Sequence, residues 1–426
     1  MTSAAARDTG DRQGPAADVL VVGGGPAGAS AAFHLARAGL AVRILDRANF
    51  PRPKTCAEYL SPEASRLLAA MGVLGDVERA GAAQLTGMIV RAPNGRRIHG
   101  EFAAPHGFRG FRDRGLALRR EILDAHLLDA ARGAGAAAEE GVRATDLLRD
   151  ARGRVVGVRA IGGDGGAVER RARLVVGADG LRSIVARRLG VARSRRWPRR
   201  LALVAHYRGV REVGSCGEMH VMRDGYLGLA DVGGGETNVA LVVPAARARE
   251  LAGDAAGFLD RWIAGTPHLA SRFAGATRTD AVRATGPFAS RVRRAWAPGA
   301  ALVGDAADFF DPFTGEGVYA ALRGGEMLAP FAVAALAAST ARDADRALSA
   351  YDAERRREFG GKWRVERLVG AAVGWTPLLD RAAIALERRR DMADVLVGVA
   401  GDFVPPAEVL RPRFLLTLLL LSVFGS

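Results

Sequence analysis

The stretch Asp18-Val19-Leu20-Val21-Val22-Gly23-Gly24-Gly25-Pro26-Ala27-Gly28 decides the fold, together with the helix-patterned Ala29–Gly39 and the run Ala41-Val42-Arg43-Ile44-Leu45-Asp46 behind it. A short apolar run of strand length enters a glycine-rich turn, a helix follows and stops at Gly39, and a second strand ends on an acidic residue. This is a β-α-β unit in about thirty residues, which closes only as a right-handed parallel crossover. Each glycine answers a physical demand. Gly23 permits the tight turn out of the strand, Gly25 lets backbone approach a pyrophosphate, and Gly28 lets the helix pack close to the sheet. The helix start, with Ala27 in its first turn, offers free N–H groups and a positive dipole end to phosphates. Asp46 stands where a carboxylate accepts hydrogen bonds from an adenosine ribose, with Arg47 beside it. The pattern predicts a dinucleotide site.

Outward from this unit, helical patterns fall at Pro62–Met71 and Arg120–Arg132, and strand-like runs at Arg154–Ile161 and Ala172–Val176. Between residues 200 and 245 the texture changes to alternating segments, LALVAHYRGV, EMHVMRDGYLGLADV and ETNVALVVP, which predict an inserted antiparallel sheet. From about 341 onward the chain reads as helical. The predicted class is α/β: a Rossmann-like nucleotide domain, an inserted antiparallel sheet and C-terminal helices.

Composition removes several functions. The chain has 426 residues and a net charge of +15, yet Lys54 and Lys362 are its only lysines. The arginines are dispersed, and the densest run, Arg193–Arg200, has no nucleic-acid-binding fingerprint around it, so no nucleic-acid partner is expected. Two distant cysteines, Cys56 and Cys216, give neither a disulfide framework nor a zinc site, and a reducing cytoplasm is the expected compartment. No metal site and no Gly-x-Ser-x-Gly elbow is found. Residues 1–17 read as a disordered leader without an apolar core. At the other end Phe414–Phe424 is apolar but shorter than the roughly 17–25 residues of a spanning helix. Two readings stay open there: a tail lying in the membrane interface, peripheral to the inner face, or a final helix packed on the protein's own core.

Two later segments separate flavin from nicotinamide. Val175-Val176-Gly177-Ala178-Asp179-Gly180 runs from a strand into an Asp-Gly turn. Ala301-Leu302-Val303-Gly304-Asp305 does the same into Gly-Asp, followed by Pro312-Phe313-Thr314-Gly315-Glu316-Gly317 and a helix. With these three segments in this order, the chain resembles the flavoprotein hydroxylase superfamily, which includes aromatic-ring hydroxylases, geranylgeranyl reductases and flavin-dependent halogenases. The resemblance runs from Asp18 to at least Leu328. It implies FAD as cofactor, with NADPH or NADH docking transiently as reductant. It implies that Asp305, after Gly304, meets a ribitol hydroxyl, and that the helix start at Gly315, Glu316 and Gly317 points at the flavin pyrimidine edge. It associates Asp179 and Gly180 with pyrophosphate and reductant, and Arg120 with FAD.

The stretch Phe50–Ala64 resembles the geranylgeranyl-reductase-like branch, with Ala57 where that branch usually carries glycine. Arg52 and Lys54 there stand ready to neutralise phosphate or reduced flavin, and Cys56 reads as a small buried residue. The halogenase Trp-x-Trp-x-x-Pro motif is absent, which speaks against halogenation. The resemblance divides the chain into a discontinuous FAD-binding domain (18–84, 119–196 and 280–340), a substrate-binding sheet (85–118 and 197–279) and a helical region (341–426). It implies an NAD(P)H-driven monooxygenase acting on a small hydrophobic aromatic, polyketide or isoprenoid metabolite. The alternatives are a reductase of prenyl C=C bonds and a membrane-surface electron-transfer flavoprotein. No catalytic residue in the substrate pocket is assigned; Glu316 is a candidate acid by position alone.

Overall fold

A computed structural model describes residues 17–194, 199–288 and 290–423. The leader before Ala17, the centre of the arginine-rich run at 195–198 and the last residues of the apolar tail lie outside these. The first sheet grows from the predicted unit. Strand Ala17–Val22 pairs in parallel with Val42–Leu45 on one side and with the end of Ala167–Gly177 on the other. Ala300–Leu302 and Ala137–Glu139 extend the parallel run outward. The four apolar residues Val19–Val22 are buried on both faces, as the continuous hydrophobic run of a central parallel strand requires. The early half of Ala167–Gly177 leaves this arrangement and pairs antiparallel with Val155–Ile161.

Helix Pro26–Arg37 covers one face and packs on the long helix Gly317–Ala337, where Ser30 Oγ donates to Leu322 O at 2.6 Å. A Cβ on Gly325 would lie 2.5 Å from Ala31 N, so the crossing depends on that glycine. Gly317–Ala337 is long and apolar enough to cross a membrane by length and composition alone, but half of it is buried in the protein and it serves as a core helix.

Among the described residues the second sheet has eight strands. The expected segments form Arg200–Arg208, Cys216–Met222, Gly225–Asp231 and Glu236–Pro244, joined antiparallel. Two details depart from expectation. Cys216–Met222 lies parallel to Gly87–Arg91, because that strand arrives from a distant segment as half of its own hairpin with Arg97–Glu101, and no short turn dictates its direction. Gly115–Ala117 stays out of this sheet and pairs with Tyr59–Leu60 and Ala83–Leu85, whereas Arg283–Thr285 joins it through Ala202–Val204.

The C-terminal region is helical, with Ala341–Gly374 its longest element. The final helix Pro412–Val423 turns Phe414 and Leu418 towards the core and leaves Leu416 55% exposed, so it packs on the protein while keeping an apolar outer side.

Candidate functional site

The C-terminal ends of the parallel strands face the second sheet across a cavity of about 1110 Å³. This is where open α/β sheets place ligands. The volume exceeds the roughly 300–1000 Å³ of common small-molecule pockets, which leaves room for a dinucleotide and a substrate together.

All three glycine and Gly-Asp segments converge on it. Gly23, Gly25 and Ala27 line its wall, as do Asp46, Arg47, Asp179 and Gly180. Gly304, Asp305, Gly315, Glu316 and Gly317 line it from the other half of the chain. Gly28 is the one predicted position off the wall, and its role is packing: a Cβ there would stand 1.8 Å from Gly23 O. Gly23 holds φ +104°, and Gly304 at φ +57° lies so close to Ala27 that a Cβ would come within 2.7 Å of the Ala27 methyl. The first and third segments are thus locked together by small residues.

The residues present fit FAD. The N-cap of Pro26–Arg37 is Gly25 and that of Gly317–Ala337 is Glu316; neither receives a side-chain capping bond. Two helix starts with uncapped N–H groups therefore open on the same cavity, one suited to pyrophosphate and one to the anionic edge of a reduced flavin. A Cβ built on Gly25 meets no atom nearer than 3.4 Å, so the space beside that turn is free for a ligand to approach backbone. Asp46 Oδ2 accepts from Gly24 N at 2.7 Å and Oδ1 from Ala48 N at 2.9 Å, which fixes the carboxylate at the end of its strand.

Charge is concentrated behind the glycine turn. Arg120 is buried and bonds Asp124 with two nitrogens, at 2.7 and 2.9 Å, while Arg52 stands 3.3 Å from Asp124 and 3.8 Å from Asp46. Burial opposes the Arg120 charge, but Asp124 and Cys56 beside it hold its pKa above the ordinary value. Lys54 reaches into the cavity, where enclosure by protein and the Arg120 charge lower its pKa, against the opposite pull of Asp305. Burial raises Asp305, opposed by Lys54 and Arg120. A phosphate or a reduced flavin entering here restores counter-charge to Arg52 and Lys54.

Two side chains do something other than expected. The Asp179 carboxylate accepts from Ser183 Oγ at 2.6 Å and from Ile184 N at 2.6 Å, so it caps the short helix Ile184–Arg188 and offers the cavity mainly the backbone of its turn. Glu316 stands at the N-cap but turns to Lys362, 3.8 Å away, and Lys362 pairs also with Asp402. Burial raises Glu316 and lowers Lys362, against the opposite pull that each exerts on the other.

Asp124, His206 and Asn238 were not singled out from sequence, and Glu58 was read only as part of the Phe50–Ala64 stretch. Asp124 was signalled by its i,i+4 spacing from Arg120. His206 and Asn238 stand as polar residues inside otherwise apolar strands. Glu58 holds φ +63° and is 3% exposed. Its carboxylate accepts from Arg120 N at 2.8 Å, from His206 Nε2 at 2.7 Å and from Asn238 Nδ2 at 3.1 Å.

The FAD binding domain family matches residues 16–362. Digeranylgeranylglycerophospholipid reductase 2 of Methanopyrus kandleri is 32% identical over 394 residues, 91% of this chain and 93% of that protein. A flavoprotein/dehydrogenase from Cytophaga hutchinsonii superposes with a TM-score of 0.83 at 20% identity, over 97% of this chain and all of that one. PqsL, a probable FAD-dependent monooxygenase from Pseudomonas aeruginosa, superposes with a TM-score of 0.66 at 25% identity, over 88% of this chain and 98% of that one. With the uncapped helix starts and the three converging segments, these likenesses show that the chain belongs to the FAD binding domain family and is an FAD-dependent oxidoreductase.

Proposed function

We propose that the chain reduces C=C bonds of a long isoprenoid substrate, using electrons from NAD(P)H. The observation that carries this reading is the sheet face closing the cavity. It presents small and aliphatic residues, among them Ala202, Val204, Gly228, Ala240 and Val242. Two polar groups on that face are already engaged: Tyr226 OH donates to Asp311 at 2.6 Å, and Asn238 Nδ2 donates to Cys56 O at 3.0 Å and to Glu58. Such a wall grips a hydrocarbon chain by area and offers little to orient a polar ring. The reductase from Methanopyrus kandleri, alike over nearly the whole chain, supports the same substrate class.

FAD, when bound, supplies hydride acceptance and donation. The protein's part is to hold it through the two helix starts, to balance its charge with Arg52 and Lys54, and to lay the substrate along a dry wall. The likeness to PqsL supports the second reading, an NAD(P)H-driven monooxygenase. Stopped-flow reduction by NADPH followed by a polyprenyl acceptor separates the two. Flavin reoxidation by the alkene without oxygen consumption is the expected result; substrate-stimulated, coupled oxygen uptake would replace it with the monooxygenase reading.

A lipid substrate fits a peripheral position at a membrane. Trp375 is 62% exposed at the junction of Ala341–Gly374 and Thr376–Arg388, and Leu416 is 55% exposed in the final helix, with Arg411 just before that helix and Arg413 in its first turn. Removing residues 412–426 is expected to abolish co-sedimentation with anionic liposomes, and binding that persists unchanged rules the tail out as the contact.

A further inference from the structure

The segment from Arg52 to Glu58 forms part of the cavity wall yet has no regular secondary structure. Something else must hold it. At its end Glu58 adopts φ +63°, a left-handed conformation that a non-glycine residue keeps only where its surroundings fix it. Beside the backbone N–H of Arg120, which donates to Glu58 Oε1 at 2.8 Å, the surroundings include two residues of the second sheet. Asn238 Nδ2 donates to Cys56 O at 3.0 Å and to Glu58 Oε2 at 3.1 Å. His206 meets Glu58 Oε2 through Nε2 at 2.7 Å and Asp280 Oδ2 through Nδ1 at 2.9 Å, while its backbone N–H donates to Asp280 Oδ1 at 2.9 Å.

We propose that His206 is a positioning residue whose ring, hydrogen-bonded to a carboxylate at each nitrogen, clamps the Cys56–Glu58 segment to the sheet and so sets the wall against which the cofactor lies. A carboxylate only accepts, so both contacts are hydrogen bonds when both ring nitrogens carry protons. The clamp is therefore complete in the imidazolium form, and loss of one proton leaves a lone pair facing a carboxylate.

The other charged groups around the pair are committed. Arg119 stands 3.3 Å from Asp280 and 2.8 Å from Glu236, and Arg283 is 2.8 Å from Asp280. Arg120 gives Glu58 its backbone N–H and keeps its guanidinium for Asp124. Burial disfavours the charged ring, but Glu58 and Asp280 outweigh it and raise the His206 pKa above 6.5. A raised folded-state pKa means that the clamp is fully present at pH 6 and is lost as pH rises through the titration of His206.

The test is FAD affinity of the apoprotein, read by flavin fluorescence from pH 6 to 9, in the wild type, His206→Gln and Asp280→Asn. In the wild type Kd is expected to rise about tenfold across the range, the scale of losing one hydrogen bond to a charged group. His206→Gln should bind with the wild type's high-pH affinity and show a flat profile. Asp280→Asn should move the midpoint to lower pH, since it removes one of the two groups that raise the pKa. Superimposable profiles for wild type and His206→Gln, or full affinity in His206→Gln at pH 6, would overturn the proposal. Should the variants fail to fold by circular dichroism, histidine-labelled wild-type protein decides by NMR. A ring titrating above 6.5 with the same midpoint as the affinity supports the clamp, and one titrating at or below 6.5, or apart from the affinity, refutes it. The readout is cofactor binding, so it stands or falls separately from the substrate assigned above.

Discussion

Gly28→Ala is expected to yield a protein that purifies without flavin. The added Cβ would stand 1.8 Å from Gly23 O and 2.9 Å from Gly23 C, backbone atoms of the strand-to-helix turn that cannot yield separately. The helix start must move away from the strand, and with it the N–H groups aimed at the pyrophosphate. A loss of about a hundredfold in FAD affinity, equivalent to about 2.7 kcal/mol, is the expected scale. Absorbance of the purified protein and FAD titration by fluorescence measure it. Gly39→Ala is the control: Gly39 has positive φ (+83°), but a Cβ there meets nothing within 4 Å. It should lower stability by about 1–2 kcal/mol, from left-handed strain alone, and leave affinity intact. Equal flavin binding by both variants would show that close packing at Gly28 is irrelevant to the site.

The largest effect on stability is expected from Asp124→Asn. Asp124 is wholly buried and is the shared counter-ion of Arg120 and Arg52. Removing its charge leaves a buried guanidinium without compensation, an event that destabilises by about 3–5 kcal/mol where one partner of a buried pair is lost. Urea unfolding of the apoprotein should show the midpoint falling by that free energy divided by the slope, with the slope itself unchanged. Saturating FAD should restore part of the loss, because Arg52 faces the cavity and a pyrophosphate supplies it with negative charge. An unfolding free energy within about 1 kcal/mol of the wild type would mean that Asp46 and Cys56 suffice to hold the two arginines.

The parts of this molecule legible in its sequence are those fixed by neighbours along the chain. The βαβ unit at Asp18–Asp46 was readable because a strand, a glycine turn and a helix follow one another, and each glycine answers a local geometric demand. The Gly-Asp turn at 304–305 and the helix start at 315–317 were readable for the same reason. What escaped depends on distant partners. Nothing near residue 216 announces that its strand will lie parallel to residue 87, since the direction was set by a hairpin more than a hundred residues earlier. Glu58 and His206 lie 148 positions apart, and neither carries a local signature of the other. The clue available was chemical: a histidine in LALVAHYRGV and an asparagine in ETNVALVVP, each at a position an apolar strand would fill with an aliphatic side chain. Asp179 shows the converse, because its place after a strand was clear, but only the structure shows that its carboxylate serves the next short helix.

The contact between Pro26–Arg37 and Gly317–Ala337 also bears on how the protein is made. The helix that begins the cofactor turn leaves the ribosome well before its packing partner and the strand at 300–302 that extends the sheet, which follow almost three hundred residues later. Synthesis proceeds at about 5–20 residues per second, so the N-terminal βαβ unit waits on the order of tens of seconds with one side of its apolar helix uncovered. During that interval it is a natural client for a holding chaperone. A chain interrupted before residue 317 would carry the glycine-rich turn in full and still lack the surface that keeps it in place.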